Sequence, residues 1–256
     1  LNKPDESAFY SDRADALKKV FNSKLIDKKR KIYTDGIGTD HTSLHANMFP
    51  LAFGLAPEKN IDRINEFIQS RGMACSVYGS QFLMEAVYDG NNADYGLKLL
   101  TSTEERSWYN MIRAGSTISM EAWDNKYKPN QDWNHAWGAV PANIIPRKLM
   151  GIEPLEPGFR KIRIKPQPAT LACAEIKCPT IRGEVMVSFK NDPGKSFLLT
   201  VTIPANSTAD VYLPLWSKSQ NITMNGEKAA FTSAGTYAVI KNVGSGNHSF
   251  EVLNPR

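Results

Sequence analysis

Gly151-Ile-Glu-Pro-Leu-Glu-Pro-Gly158 is the stretch that divides this sequence into two kinds of chain. Two prolines and two glycines in eight residues break regular structure, and the hydrophobic pattern changes period across them. Before it, apolar residues recur at helical spacing. Ala8, Ala14, Leu17, Val20 and Phe21 form one stripe; Leu44, Met48, Leu51, Ala52 and Leu55 form a second; and Pro57 opens a third through Ile61, Ile64, Phe67 and Ile68. Further stripes cover Phe82 to Val87, Tyr95 to Leu100, Trp108 to Ile112 and about His135 to Met150, giving about seven short helices. After Gly158 come short β-rich runs separated by turn residues. They are Lys161 to Lys165, Glu184 to Phe189, Leu198 to Ile203, Ala209 to Leu213, Tyr237 to Ile240 and His248 to Val252. Their spacing predicts an antiparallel β-sandwich, and Asn225-Gly226 predicts a hairpin turn. The domains expected are therefore residues 1–157, helical, and 158–256, a β-sandwich.

Composition narrows the function classes. The 256 residues are 41% hydrophobic, 10% aromatic and 22% charged, the profile of a folded chain with one or two cores. No apolar run reaches the roughly 18 to 20 residues of a membrane span. A net charge of +5 comes from scattered lysines and arginines, so the sequence has no basic patch for nucleic acid. The cluster Lys28 to Lys31 reads as a solvated helix end. Cys75, Cys173 and Cys178 lack zinc-site spacing and read as buried thiols. His41 and His45 have the spacing of a helical metal pair, but no Glu or Cys completes a site, so they are expected to pack or hydrogen-bond. Neither a metal nor a cofactor is expected. The chain opens at Leu1, as a piece of a longer protein would.

The residues that suggest chemistry lie between Gly115 and Gly138. Gly115-Ser-Thr-Ile-Ser-Met-Glu-Ala-Trp-Asp124 is followed by Tyr127, Pro129 and Asp132-Trp-Asn-His-Ala-Trp137-Gly. Tryptophan faces stack on the C–H faces of sugar rings, while carboxylate, Asn and His groups hydrogen-bond sugar hydroxyls, so the mixture suits a saccharide subsite. Trp108 and one of the three later tryptophans are expected in the core. Glycoside hydrolysis needs two carboxyls, one an acid and the other a nucleophile or base. Glu121 is the best single candidate, with a structural hydrogen-bond acceptor as the competing reading.

Several segments together resemble the bacterial α-L-rhamnosidases. They are Asp40-His-Thr-Ser-Leu-His-Ala-Asn-Met-Phe-Pro-Leu-Ala-Phe-Gly-Leu55, Tyr78-Gly-Ser-Gln-Phe-Leu-Met-Glu-Ala86, the Gly115 to Asp124 run and Asn134-His-Ala-Trp-Gly138. Pro141-Ala-Asn-Ile-Ile-Pro-Arg-Lys-Leu-Met-Gly-Ile-Glu-Pro154 and Pro157-Gly-Phe-Arg-Lys-Ile-Arg-Ile-Lys-Pro-Gln-Pro168 continue the likeness into the β half. The resemblance implies the C-terminal half of an (α/α)6 helical toroid followed by an antiparallel β-sandwich. It also implies inverting hydrolysis of terminal α-L-rhamnosyl residues from a rhamnosylated glycan or glycoside. On this reading Glu121 is the general base, His135 contacts the sugar, and Trp123, Trp137 and Asn134 belong to the substrate wall. The family's acid glutamate has no match here, so the N-terminal half of the toroid is a missing partner and the isolated chain is expected to be inactive. Another inverting toroid glycosidase and a non-catalytic carbohydrate-binding module are the alternative readings.

Overall fold

Helical spacing in the first part of the chain is realised as seven α-helices in the computed structural model, which describes residues 3–217 and 220–254. They are α1 (Pro4–Leu25), α2 (Leu44–Ala52), α3 (Ile61–Arg71), α4 (Ser80–Asp89), α5 (Ala93–Leu100), α6 (Trp108–Arg113) and α7 (Val140–Ile144). Two of them start on caps that the sequence supplies. The hydroxyl of Ser43 accepts the Ala46 amide at 3.1 Å and that of Ser107 accepts the Asn110 amide at 3.1 Å, each satisfying a donor the first helical turn leaves unpaired. The chain forms two compact units, Leu1–Val140 and Pro141–Arg256.

In the first unit α2 packs on α3 and α4, and α4 on α5. Met48, Ile64, Ile68, Leu83, Met84 and Val87 interlock there without solvent exposure. Asn47 is buried among them because both ends of its amide are used: Oδ1 accepts the Tyr33 amide at 2.9 Å and Nδ2 donates to the Tyr33 carbonyl at 3.1 Å. Helix α1 forms where its stripe predicts, yet buries none of its residues; Leu17 is 66% exposed and Val20 56%. The helix expected from about His135 to Met150 is broken into a 3₁₀ turn at Ala136–Gly138, α7, and a π turn at Ile145–Leu149. Pro146 has no N–H to continue the α ladder, and its ring crowds the preceding turn, which widens.

The second unit holds two sheets. Strands β1 (Ile152–Pro154), β2 (Lys161–Ile164), β6 (Thr208–Pro214), β10 (Tyr237–Val243) and β9 (Thr232–Ala234) lie side by side in that order. The second sheet runs β3 (Cys173–Thr180), β4 (Gly183–Asp192), β5 (Ser196–Ile203), β11 (Gly246–Leu253), β7 (Asn221–Met224) and β8 (Glu227–Lys228). Alternation along the strands buries one face of each: Val185, Val187 and Phe189 on β4, Leu199 and Val201 on β5, Val211 and Leu213 on β6. Among the described strands every pairing is antiparallel except β2 with β6, whose connection through β3 to β5 is long enough for a parallel crossover. Asn225-Gly226 turns β7 into β8 as expected.

The opening stretch is itself structured. Ile152 to Pro154 pairs with Ile164 to Ile162, and Pro154 is tolerated because β1 is an edge strand. A side chain at Gly151 would place Cβ 2.1 Å from the Lys165 backbone, and its φ of +77° is one that L residues rarely adopt. Buried Glu153 is met by three cations: Arg147 at 3.0 Å, Lys148 at 3.1 Å and Arg163. The cysteines correct one expectation. Cys75 is buried, and burial pushes its thiol up to about 12, but Cys173 is exposed and Cys178 half-buried because β3 is an edge strand. Among the described residues no helix is long and apolar enough to cross a membrane.

Candidate active site

The segment after α6 folds back on itself, and that return brings the sequence-predicted residues together. The Glu121 amide donates to the Asp132 carbonyl at 3.0 Å, and the His135 amide to the Ser119 carbonyl at 2.9 Å. Ser119 Oγ then donates to the His135 carbonyl at 2.9 Å. The return requires glycine at 138. A Cβ there would lie 2.5 Å from the Met120 carbonyl oxygen and 2.7 Å from Ser119 Cβ, inside any ordinary contact. Beneath the loop, Trp108 and Trp123 pack edge to face with centroids 5.3 Å apart. The Trp108 indole donates to the Gly138 carbonyl at 2.9 Å and the Trp123 indole to the Cys75 carbonyl at 2.8 Å. Asn110 of α6 ties the same segment down, donating to the Trp123 carbonyl and to Asp124 Oδ2, both at 3.0 Å.

Glu121 opens onto a cavity of about 470 Å³. Ala74, Val77, Ala122 and the rings of Trp123 and Trp137 give it an apolar wall; His45, Arg106 and Lys128 give it polar groups. Among the described residues its lining holds a single carboxylate, Glu121. The Glu121 side chain is 11% exposed and both its oxygens are engaged: Oε1 accepts the Lys128 ammonium, and Oε2 accepts the Asp132 amide at 3.2 Å. The Lys128 ammonium, followed by the Asp132 amide, holds the carboxyl below its ordinary range, so Glu121 is ionised near neutral pH. An ionised carboxylate accepts a proton or stabilises positive charge; it does not serve as the acid.

The other predicted residues are placed unequally. Trp137 is 39% exposed, stacks on His135 with centroids 4.0 Å apart, meets Tyr78 at 5.5 Å, and donates its indole N–H to the Glu121 carbonyl at 3.1 Å. His135 is half-buried, and its Nδ1 has no partner among the described residues. Trp123 is only 3% exposed, so its ring supports the cavity from the core, where one of the three tryptophans was expected. Asn134 is exposed and does not line the cavity. Sequence reasoning missed Lys128, Arg106 and Tyr78. Arg106 lies over the Tyr127 ring, 4.9 Å from its centroid, and donates to its hydroxyl at 3.2 Å. His41 precedes α2 and bonds to Asp35 at 2.5 Å, whereas His45 is on the helix, so the two do not form a helical pair. Among the described residues no group of three or more His, Cys, Asp or Glu side chains is arranged to hold a metal ion.

Comparison with known proteins bears on both units. The family model described as bacterial alpha-L-rhamnosidase 6 hairpin glycosidase domain matches residues 1–149, and the bacterial alpha-L-rhamnosidase C-terminal domain matches residues 151–228. An alpha-L-rhamnosidase of Streptomyces avermitilis is 26% identical over 96% of this chain and 24% of its own length. One of Formosa agariphila is 28% identical over 94% of this chain and 27% of its own length. Among solved structures, an α-L-rhamnosidase from Dictyoglomus thermophilum aligns with a TM-score of 0.82 and 22% identity, over 99% of this chain and 29% of that one. The Streptomyces avermitilis enzyme, solved with L-rhamnose, aligns with a TM-score of 0.75 and 24% identity, over 95% of this chain and 24% of that one. The chain thus spans about a quarter of the length of the curated relatives it matches. A helical unit and a two-sheet β-unit, matched in the same order by the family's six-hairpin and C-terminal domains, make this chain a member of the bacterial α-L-rhamnosidase family.

Proposed function

We propose that this chain supplies the base side of an inverting α-L-rhamnosidase active site, with Glu121 as the general base. The observation that carries the reading is a nearly buried carboxylate, paired with Lys128, that is the single carboxylate among the described residues lining an apolar-walled cavity. In an inverting hydrolysis one carboxylate takes a proton from water as its oxygen attacks the anomeric carbon, while an acid on the other face protonates the departing oxygen. Glu121 has the charge state for the first task. Among the described residues no second carboxyl lines its cavity; as the family resemblance implies, the acid belongs to a segment outside this chain, and the isolated chain turns over little substrate. Trp137 lines the cavity with Trp123 behind it, and His135 backs the Trp137 ring; sugar contacts from His135 and Asn134 rest on the family resemblance, since neither lines the cavity. Ala74, Val77 and Ala122 suit a deoxysugar's methyl, where a sugar with a 6-hydroxyl would need a hydrogen-bond partner. The substrate is then a rhamnosylated glycan or glycoside.

The test is hydrolysis by the full-length protein that carries this chain, with aryl α-L-rhamnoside and aryl glucosides compared and the first-formed anomer followed by NMR. Release of β-L-rhamnose, with the rhamnoside strongly preferred, is expected. A preference for glucosides would assign the site to another toroid glycosidase, and sugar binding without turnover would assign it to a binding module.

A further inference from the structure

We propose that Lys128 is a positioning residue for Glu121: with the Asp132 amide it grips the carboxylate at two points and fixes the plane in which the free lone pairs face the cavity. The inference rests on Glu121 acting as the base. Lys128 lies seven residues further along the same loop, and its ammonium is paired with Oε1 while the Asp132 N–H holds Oε2 at 3.2 Å. Each carboxylate oxygen has two lone pairs, so each keeps one for water after these bonds are made. Held by the Asp132 amide alone, the carboxylate would turn about its last torsion, which is broad and roughly two-fold. The second grip removes that freedom, and orientation of a reacting group is a large part of catalysis.

Lys128 is 43% exposed, so its pairing adds little to folding. That separates a positioning role from a structural one. The charges and titratable groups around Glu121 are few. His135 adds a weaker attraction from the loop itself. Tyr127 of the loop and, from the surrounding elements, His45, Cys75 and Arg106 line the same cavity, and all remain when Lys128 is removed. Lys128 is the largest influence keeping the Glu121 carboxyl ionised, so its loss lets the carboxyl protonate at higher pH. The low-pH limb of kcat/KM then moves toward neutrality.

The experiment is the pH dependence of aryl α-L-rhamnoside hydrolysis, from about pH 4 to about pH 8, by the full-length protein and its Lys128→Met, Lys128→Arg and Glu121→Gln variants. Lys128→Met is expected to lower kcat about tenfold with KM little changed, to move the low-pH limb upward, and to melt with the parent. Lys128→Arg is expected to restore both the limb and the rate. Lys128→Gln, also uncharged, repeats the test if the methionine variant folds poorly. The proposal is overturned if the limb stays in place in the uncharged variants, or if arginine moves it as far as methionine does, while Glu121→Gln is inactive. An active Glu121→Gln overturns the base assignment itself, and the two failures are therefore distinct.

Discussion

Replacing Gly138 with alanine puts the folded loop under a load that the structure quantifies. The new Cβ would stand 2.5 Å from the Met120 carbonyl oxygen and 2.7 Å from Ser119 Cβ, roughly 1 Å short of an ordinary contact. The obstacle on one side is backbone, so the strands of the loop must separate. Those strands carry Glu121 and His135, and the Gly138 carbonyl is also the acceptor for Trp108. Overpacking of this kind costs about 1–3 kcal/mol, which lowers the melting midpoint by roughly 2–12 °C for a chain this size. A displacement of about 1 Å at a catalytic group costs on the order of 100-fold in rate. The assay is thermal unfolding of this chain together with kcat/KM of the full-length protein on an aryl α-L-rhamnoside. Gly36→Ala is the control, since its Cβ would meet nothing closer than 3.9 Å. A Gly138→Ala protein that melts and turns over like the Gly36→Ala control would refute the reasoning.

Trp123→Ala removes a buried ring and its bond to the Cys75 carbonyl, and is expected to cost about 3–5 kcal/mol in denaturant unfolding. Trp137→Ala, at a half-open surface, is expected to cost about 1 kcal/mol and to raise KM instead; equal losses from the two would contradict their different burial. In the second unit, Glu153→Ala removes the buried carboxylate that Arg147, Lys148 and Arg163 share, and a loss of about 1–3 kcal/mol should appear as a lower unfolding midpoint of the β-unit. No change there would mean that the three cations do not depend on Glu153.

The fold was legible wherever a periodic pattern coincided with burial. Stripes such as Ile61, Ile64 and Ile68 face the core, and alternation in Val185, Val187 and Phe189 buries one sheet face. What escaped is non-local. Cys173 to Thr180 alternates Ala174, Ile176 and Cys178 with Glu175 and Lys177, but small apolar residues and Pro179 on an edge strand make that pattern easy to pass over, and the parallel pairing of β2 with β6 joins segments more than forty residues apart. The break in the last helix was visible in Pro146, but the widened turn it produces depends on what surrounds it. At the site, Glu121, His135 and Trp137 stood out by residue type and by their order in the chain. Lys128 did not, because a lysine seven residues down an irregular loop has no spacing that points to a carboxylate. That Trp123 rather than Trp137 went to the core was decided by the packing of Trp108 and the Cys75 carbonyl, neither of them near it in sequence.

The account stands on Glu121 as the proton acceptor. The most direct measurement is kcat/KM of the full-length protein and its Glu121→Gln variant on an aryl α-L-rhamnoside near neutral pH, with both proteins shown to melt alike. Glutamine keeps the shape, and its carbonyl can accept one of the two hydrogen bonds, from Lys128 or from the Asp132 amide, while its NH2 cannot accept the other; it cannot take a proton from water. A loss of about 10²- to 10⁴-fold is predicted; activity within about twofold of the parent would contradict the assignment.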